Sequence, residues 1–414
     1  MAKFASSVSR QAGALLNWVD DRLPVTKFWN ATMTGYMAPK NFNFWYYMGS
    51  LALLVLVIQI FSGILLAMHY KPSAAEAFAS VEYIMRDVEW GWLIRYMHTT
   101  GASFFFILIY LHMFRSLLYG SHKAPRELLW VFGMFIYVVL MAEAFLGYIL
   151  PWGQMSYWGA QVIINLFGAI PKIGEPLTQW IRGDFFISDA TLNRFFALHI
   201  IAVPLALLGL VLLHLVALRE NGSNNPDGIE IKKNKDADGN PLDGIPFHPY
   251  YTVKDIFGVG MFLIVFSFVL FMWPEAGGLF LEHDNFVPAD SLVTPIHIKP
   301  VWYFTPFYAI LKAVPDKLLG VIVMGASVGI LFFLPWLDRS PVKSIRYRGL
   351  WYKVLLGLFT VAFIRLGLLG MAEGTPAQTI EMRVWTLVYF MFFVLLFFLS
   401  PGGKTKPEPD RVTH

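Results

Sequence analysis

The chain has 414 residues, of which 57% are hydrophobic and 14% charged. An ordinary soluble domain carries about 25% charged residues, so this composition excludes a conventional soluble protein. The absence of cysteine excludes disulfides, thiolate zinc sites, iron–sulfur clusters and covalent haem attachment. Any metal cofactor must therefore be held by histidine, methionine or carboxylate side chains. The net charge of +4 gives no support for nucleic-acid binding.

The first part of the chain, residues 1–41, is charged throughout and precedes the first long apolar stretch. It lacks the apolar core and small-residue cleavage site of a signal peptide. Leu15, Leu16, Trp18 and Val19 lie among charged residues, a pattern that predicts a helix lying in the membrane interface. A soluble amphipathic segment is the alternative.

Eight apolar stretches are long enough to cross about 30 Å of hydrocarbon as helices. We therefore predict an all-α membrane protein with eight transmembrane helices, the first four of them forming a bundle. These stretches are named spans A to H and cover residues 43–68, 95–118, 129–150, 192–218, 254–273, 318–337, 350–370 and 383–399.

An even number of spans places both termini on one side of the membrane. The loops after spans B, D and F are rich in Lys and Arg, so the positive-inside rule makes this side the cytoplasmic or matrix side. We call it the inner side. On the outer side, segments 156–168 and 300–312 are apolar but too short to span, so we predict interfacial helices there.

These features divide the chain into five parts. The stretch 221–243 is rich in Asn, Asp, Gly and Lys, a composition typical of a disordered segment or an insertion. The predicted parts are an N-terminal interfacial segment at 1–41, a four-helix bundle at 42–220, an inner polar loop at 221–253, a C-terminal four-helix part at 254–400 and a polar tail at 401–414.

Spans B and D each contain two histidines, which are expensive residues inside a membrane. His98 and His112 are 14 residues apart, a spacing that puts both imidazoles on nearly one face about 21 Å apart. Because both spans run inward, His98 lies at the depth of His199 and His112 at that of His214. This pattern predicts two bis-histidine haems stacked across the bilayer. The 15-residue separation in span D predicts an irregular backbone near Pro204.

Arginines and glycines accompany the histidines. Arg95 and Arg115 stand near the outer and inner ends of span B, where haem propionates would need a counter-charge. A snorkelling interfacial arginine is the alternative for Arg115. Spans A and C repeat the 14-residue period with glycines, which predicts room for two macrocycle edges, with close helix packing as the alternative. These glycines are Gly49, Gly63, Gly133 and Gly147.

Three motifs resemble cytochrome b: R-Y-M-H at 95–98, F-L-G-Y-I-L-P-W-G-Q-M-S-Y-W-G-A at 145–160 and L-N-R-F-F-A-L-H at 192–199. The resemblance runs from about Trp45 to the end of span H and is closer to the undivided respiratory form than to the form split into two subunits.

It implies the core catalytic subunit of a quinol:cytochrome c oxidoreductase working by a Q cycle, with two non-covalent b haems, the outer one of low and the inner one of high potential. It also implies a Rieske iron–sulfur protein, a c-type cytochrome subunit, ubiquinol and ubiquinone, surrounding lipid and a dimer of the complex. The bacterial cytoplasmic membrane, with both termini cytoplasmic, is favoured over the mitochondrial one.

The resemblance also implies an outer quinol-oxidising pocket. The family's P-E-W-Y motif reads P-V-W-Y at 300–303 here, so the carboxylate expected to accept a quinol proton is missing. Glu282 is our candidate replacement, ahead of His283 and Asp284, while a solvated loop residue is the alternative. Tyr148 and Tyr303 would act beside it. The other predicted pocket residues are Phe145, Met155, Gly159, Pro295, Trp302 and Tyr308.

An inner quinone site is implied at the start of span E. Lys254 and Asp255 match the family's quinone-site pair, although a cationic anchor with a neighbouring acid is the alternative. Five residues after His214, where the family often has a histidine, this chain has Arg219. Arginine can donate a hydrogen bond to a quinone carbonyl but cannot shuttle a proton at neutral pH.

Two other functions compete with this interpretation. A di-haem membrane anchor without quinol chemistry would need the same histidines, but not the outer-loop motifs. A secondary transporter would favour inverted repeats, broken helices and acidic residues at the membrane midplane, whereas the histidines here lie nearer the two surfaces.

Overall fold

The chain forms a bundle of long apolar helices in this computed structural model, which describes residues 12–413. Within these residues, seven helices are long and apolar enough to cross a membrane, and a shorter apolar helix occupies the place of span F. The predicted all-α membrane fold is confirmed. Spans A to H are helices Tyr47–Ala67, Gly91–Tyr119, Glu127–Ile149, Asp189–Asn221, Thr252–Met272, Lys317–Phe332, Leu350–Gly370 and Pro376–Leu399.

Span F is shorter than predicted because its helix breaks close to a proline. The helix Lys317–Phe332 ends and a short helix, Leu334–Leu337, follows it. Proline has no N–H, so Pro335 leaves the carbonyl of Leu331, four residues earlier, without its helical donor. The indole N–H of Trp130 in span C donates to this carbonyl at 2.8 Å. The tryptophan thus satisfies the freed carbonyl and ties span C to span F.

Span D contains the backbone irregularity that the histidine spacing predicted. The α-helix Asp189–Ala197 passes into a π-helical turn, Leu198–Ala202, and the α-helix resumes over Val203–Asn221. A π-turn holds one more residue than an α-helical turn, so it absorbs the extra residue between His199 and His214. The prediction of irregular backbone near Pro204 is confirmed.

Short helices form the outer side. The predicted segments 156–168 and 300–312 are largely helical, and the loops that carry them are joined by backbone hydrogen bonds. The amide of Gln154 donates to the carbonyl of Val287, and the amide of Ala289 donates to that of Trp152, both at 3.0 Å. The C–D and E–F loops therefore form one layer. Its α-helices are Gln154–Phe167, Gly174–Arg182 and Thr305–Ala313, with Ala77–Arg86 between spans A and B.

The three basic loops meet on the inner side. Arg126 after span B and Lys343 after span F both pair with Glu230, which follows span D. Burial alone would raise the pKa of the Glu230 carboxyl, but these two cations hold this pKa at about 2. Arg346 pairs with Asp227 at 2.8 Å. The three loops thus lie on one side of the bundle, as expected for loops that follow alternate spans.

The polar stretch 221–243 is held by hydrogen bonds, so the interpretation of its composition as typical of disorder is wrong. Residues 221–231 are largely buried, while residues 232–242 are mostly exposed. The amide of Asn224 donates to the carbonyl of Tyr119 at 2.8 Å, and that of Asn225 to the carbonyl of Ile229 at 2.6 Å. Both asparagines are almost fully buried. Polar composition failed as a guide here because neighbouring loops supply partners that a sequence window does not contain.

Segments near both termini pack against this loop. Strand Met37–Pro39 pairs antiparallel with strand Gly244–Pro246. Asp243, which directly precedes the second strand, forms ion pairs with Lys40 at 3.0 Å and with Arg411 in the tail at 2.8 Å. The tail after span H is therefore held in place, and it lies on the same side as the segment before span A.

The N-terminal segment contains a helix over residues 12–20. Leu15 and Trp18 are more than half exposed there, and the Arg22 guanidinium lies 4.3 Å from the Trp18 ring centre. Its location in the membrane interface stays a prediction, and residues 1–11 lie outside the described part. Other short turns are Val25–Trp29, Asn30–Thr34, Phe44–Tyr46, Ile231–Lys233, Phe247–Tyr251, Ala276–Gly278, His283–Phe286 and Trp302–Phe304.

A buried carboxylate joins the two halves of the bundle on the inner side. Asp338, after span F, accepts hydrogen bonds from His122 at 2.9 Å and Arg348 at 2.6 Å, and Lys123 lies 3.3 Å away. Burial would raise its pKa, but these three groups hold the pKa of Asp338 well below its usual range. The side chains of His122, Asp338 and Arg348 are all fully buried.

Substitution Asp338→Ala tests this junction. Removing the carboxylate leaves a buried guanidinium without its counter-charge, so we expect the free energy of unfolding to fall by about 3–5 kcal/mol. Thermal unfolding of the purified protein in detergent measures the loss. Asp238→Ala, at an exposed loop position, is the control and should leave the unfolding temperature unchanged. Equal stability of both variants would contradict the role of Asp338.

Candidate functional site

The four histidines of spans B and D meet as two pairs inside the bundle. The ring centres of His98 and His199 are 6.2 Å apart, and those of His112 and His214 are 6.4 Å apart. The structure therefore brings together the residues that helical spacing had paired. One pair lies toward the outer side of the membrane and the other toward the inner side.

Each pair has the separation that two axial imidazoles of one metal require. An imidazole nitrogen binds a transition metal at about 2 Å, and the ring centre lies about 1 Å behind it, so two opposed rings have centres about 6 Å apart. Both observed separations agree with this value. The two pairs consequently fit two six-coordinate irons, each with one imidazole from span B and one from span D.

Glycines of spans A and C stand against all four imidazoles. A Cβ atom at Gly63 would lie 3.3 Å from Cε1 of His98, which is tighter than an ordinary van der Waals contact. At Gly147 the same atom would overlap the ring of His199. These glycines make room for the histidine rings themselves, whereas space for macrocycle edges stays a prediction. The facing pairs are Gly49 with His112, Gly63 with His98, Gly133 with His214 and Gly147 with His199.

The Nδ1 atoms of the outer pair are hydrogen-bonded. His98 Nδ1 lies 2.9 Å from the Ser62 hydroxyl, and His199 Nδ1 lies 3.0 Å from the backbone carbonyl of Glu143. A carbonyl can only accept, so the proton of His199 resides on Nδ1. The lone pair on Nε2 is thereby left for a metal, which is the usual arrangement at a histidine ligand.

Arginines lie near both pairs. Arg95 is buried, with 6% of its surface exposed, one helical turn outward from His98. Arg115 turns inward, and its NH2 lies 3.3 Å from Nδ1 of His112, with the guanidinium 5.1 Å from the ring centre of Tyr46. Snorkelling toward solvent therefore does not describe Arg115. Both arginines supply positive charge where carboxylate groups of a haem would need it.

An apolar pocket opens between the outer end of span C, helix Gln154–Phe167 and the segment before span F. Four of the predicted quinol-site residues line it: Phe145, Tyr148, Gly159 and Tyr308. Pro300 and Val301 belong to the P-V-W-Y motif that pointed to this pocket. Sequence reasoning missed the other five lining residues, because residues from two loops far apart in the chain meet here. The additional lining residues are Val162, Ile163, Leu166, Ile298, Pro300, Val301 and Phe304.

The other four predicted quinol-site residues lie outside this lining. Met155 is buried behind it, with 1% exposed, and Pro295 belongs to the exposed stretch of the E–F loop. Trp302 donates to the Ser103 hydroxyl at 3.2 Å. Tyr303 stacks on Phe106 of span B, with ring centres 3.9 Å apart. The two aromatic residues of the P-V-W-Y motif thus anchor the motif, while its Pro300 and Val301 face the pocket.

Glu282 is buried beside the pocket, so the alternative of a solvated loop residue is wrong. Only 5% of its surface is exposed, and its Oε2 accepts a hydrogen bond at 3.0 Å from the hydroxyl of Tyr148, which lines the pocket. Asn285 donates to the same hydroxyl at 3.1 Å. Burial raises the pKa of Glu282 to about 7. His283 and Asp284, the less favoured candidates, are exposed.

Arg219 lies among aromatic rings at the inner end of span D. Its guanidinium is 4.2 Å from the ring centre of Tyr36 and 4.9 Å from that of Phe247. Within the described residues its NH1 is buried without a hydrogen-bond partner. An unpaired buried donor is costly unless a ligand accepts from it. Arg219 is therefore equipped to bind a carbonyl oxygen.

Lys254 and Asp255 stand at the start of span E, close to the same aromatic segment. The ammonium of Lys254 lies 5.1 Å from the ring centre of Tyr251. Asp255 accepts a hydrogen bond from Ser50 of span A at 3.2 Å. Asp255 thus takes its hydrogen bond from span A and not from the neighbouring lysine.

Sequence reasoning missed Glu143, a carboxylate in the outer half of span C. Its Oε1 lies 3.0 Å from Nδ1 of His199. The signal was available, because an acidic residue inside an otherwise apolar span is expensive and marks a functional position.

Comparisons with known proteins agree with this geometry. The family described as cytochrome b/b6/petB matches residues 33–222, and that described as cytochrome b(C-terminal)/b6/petD matches residues 288–390. Cytochrome b of Allochromatium vinosum is 60% identical over 96% of this chain and 98% of its own length. Cytochrome b of Rickettsia typhi is 49% identical over 97% of each chain.

A solved structure agrees as well. A chain of a hyperthermophilic respiratory complex III superposes with a TM-score of 0.86 at 39% identity, covering 93% of this chain and 98% of that one. The matches extend over both the histidine-bearing front half and the back half with the outer pocket. This chain therefore belongs to the cytochrome b family of the respiratory cytochrome bc complexes.

Proposed function

We propose that this chain holds two b haems, one between His98 and His199 and the other between His112 and His214. The supporting observation is the meeting of these rings in two pairs at the separation that axial ligation requires. As a cytochrome b, the chain is the core catalytic subunit of a quinol:cytochrome c oxidoreductase, which oxidises quinol outside, reduces quinone inside and translocates protons. When bound, the haem irons accept and release single electrons.

The side of the membrane follows from charge. The loops that meet at Glu230 and Asp227 carry the excess of Lys and Arg, so we assign them to the cytoplasmic side of a bacterial membrane. Both termini are then cytoplasmic. In this orientation the haem at His98 lies near the outer surface and has the low potential, and the haem at His112 lies near the inner surface and has the high potential.

Quinol oxidation is assigned to the pocket beside Tyr148. Its apolar walls exclude water from the ring of the quinol. The Tyr148 hydroxyl is held by Asn285 and Glu282 and can orient a quinol hydroxyl. Glu282 then accepts the proton that Val301 cannot accept, directly or through Tyr148 and water. A carboxyl with a pKa of about 7 is suited to take up and release protons at neutral pH.

Quinone reduction is assigned to the inner end of spans A, D and E. The unpaired NH1 of Arg219 donates to a quinone carbonyl. The guanidinium remains protonated, so it binds without delivering a proton. Asp255, hydrogen-bonded to Ser50, is the nearby group that can hold a proton for the reduced quinone.

The partners follow from the family. One electron from each quinol passes to a Rieske iron–sulfur protein and on to a c-type cytochrome subunit, both docked on the outer side. The family resemblance favours ubiquinone as the quinone. Few residues of span D are fully buried within the described chain, 6% in its most apolar window, so lipid or another subunit covers its exposed face in a dimeric complex.

Removing single ligands tests the haem assignment. We expect His98→Ala to abolish one of two components in a redox titration at the b-haem absorption band, and His112→Ala to abolish the other. His69→Ala is the control, because His69 is exposed and belongs to neither pair. A titration in which one component survives both ligand substitutions, or in which no haem band is present, would refute the assignment.

Substitution Glu282→Gln tests the proton acceptor. An amide keeps the size of the side chain but cannot take a proton, so we expect quinol:cytochrome c reductase turnover to fall by about a hundredfold or more. In the parent complex, turnover should rise with pH through about 7, because only the ionised carboxylate accepts a proton. Asp284→Asn should retain both the rate and this pH profile. An unchanged profile in Glu282→Gln would transfer the role to another group.

Substitution Arg219→Leu tests the inner site. Losing a hydrogen bond from a charged donor costs about 1.5–3 kcal/mol, so we expect quinone affinity at this site to fall by about ten- to a hundredfold. Reoxidation of the inner haem by added quinone, with the outer pocket blocked, measures the affinity. Arg339→Leu, elsewhere on the inner side, should leave it unchanged. Equal affinity in both variants would remove Arg219 from the site.

A further inference from the structure

Glu143 is an acidic residue inside a membrane span, and its two carboxylate oxygens have different surroundings. Its Oε1 lies 3.0 Å from Nδ1 of His199, and its side chain is 16% exposed. The second oxygen, Oε2, is buried and has no hydrogen-bond partner among residues 12–413. Within the same residues, no Lys or Arg side chain lies within ion-pair distance of it. The imidazole of His199 is thus its polar neighbour.

Placing the Glu143 carboxylate in this environment costs free energy unless a positive charge lies nearby. A carboxylate in the hydrocarbon region costs several kcal/mol when it is unpaired, and a neutral imidazole repays little of that cost. A positive charge on the other side of the His199 imidazole would offset this cost. An oxidised iron bound to Nε2 of His199 supplies that charge, and the ring transmits it to Nδ1–H.

Two acceptors of Glu143 converge on Nδ1 of His199: the backbone carbonyl at 3.0 Å and the carboxylate oxygen at the same distance. Acceptors at this nitrogen orient the ring and increase the electron donation of the ligand to its metal. Both stronger donation and nearby negative charge stabilise the oxidised iron over the reduced iron. Second-sphere hydrogen bonding and local charge are known means of lowering the reduction potential of a haem.

The inner pair has the opposite charge beside it. The guanidinium of Arg115 lies 3.3 Å from Nδ1 of His112, and Nδ1 of His214 is buried without a hydrogen-bond partner in the described chain. A cation in this place stabilises the reduced iron. Near the outer pair, Arg95 lies three residues before His98 in the sequence. Among the described residues its guanidinium makes no hydrogen bond to either outer imidazole.

We propose that Glu143 is a positioning residue that lowers the reduction potential of the outer haem. This inference rests on the proposed placement of that haem between His98 and His199. With a carboxylate at one pair and a guanidinium at the other, the chain favours electron flow from the outer pair to the inner pair. The two charges act at the ligands, independently of where the quinones bind.

The experiment is a redox titration of the assembled complex carrying Glu143→Gln. Glutamine keeps the shape and can still accept from Nδ1–H, but it removes the charge. We expect the midpoint potential of the component lost in His98→Ala to rise, and the other component to stay unchanged. The EPR signal of the oxidised outer haem should shift as well, because the donation of its axial ligand changes. Glu175→Gln, at an exposed outer position, is the matched control and should move neither component.

The outcomes separate this inference from the haem assignment on which it rests. If both components are present and neither potential moves in Glu143→Gln, the role of Glu143 is refuted while the haem assignment stands. A rise in the component that His112→Ala removes would also refute it. If His98→Ala and His112→Ala fail to remove different components, the haem assignment itself has failed. Glu143→Asp, which restores the charge, should recover part of the low potential.

Discussion

Inside hydrocarbon, every polar group has to find its partner within the protein, and this constraint accounts for most of the architecture. It makes the spanning segments helical, because a helix satisfies its own backbone. Where prolines break the pattern, the protein supplies a substitute: the indole of Trp130 donates to the carbonyl freed by Pro335. The same rule explains why the outer histidines carry hydrogen bonds at Nδ1 while Nε2 is left for a metal.

Two of the buried polar atoms without a hydrogen-bond partner belong to residues that we place at a site. Arg219 has an unpaired NH1 and Glu143 an unpaired Oε2, both within the described part of the chain. Glu282 is paired with Tyr148, but burial makes its carboxyl reluctant to ionise. The buried carboxylate of Asp338, by contrast, has both a histidine and an arginine as partners.

Much of the fold could be predicted because its signals are local. Apolar length gives the spans, and the spacing of His98 and His112 gives a common helix face. The outer pocket was predicted only in part, since Val162 and Ile298, which both line it, are more than a hundred residues apart in the chain. The burial of Glu282 and of residues 221–231 has the same origin. Such partners are fixed by tertiary packing, which no sequence window contains.

The π-turn at Leu198–Ala202 has a consequence for how span D can vary. A π-turn is what remains when a helix accommodates one inserted residue, and it confines the rotation to a single turn. The turn has already taken up the one extra residue between His199 and His214, so a further insertion or deletion between Val203 and His214 would rotate that histidine by about 100° away from its partner. The number of residues between the turn and His214 is therefore fixed by the pairing of this histidine with His112.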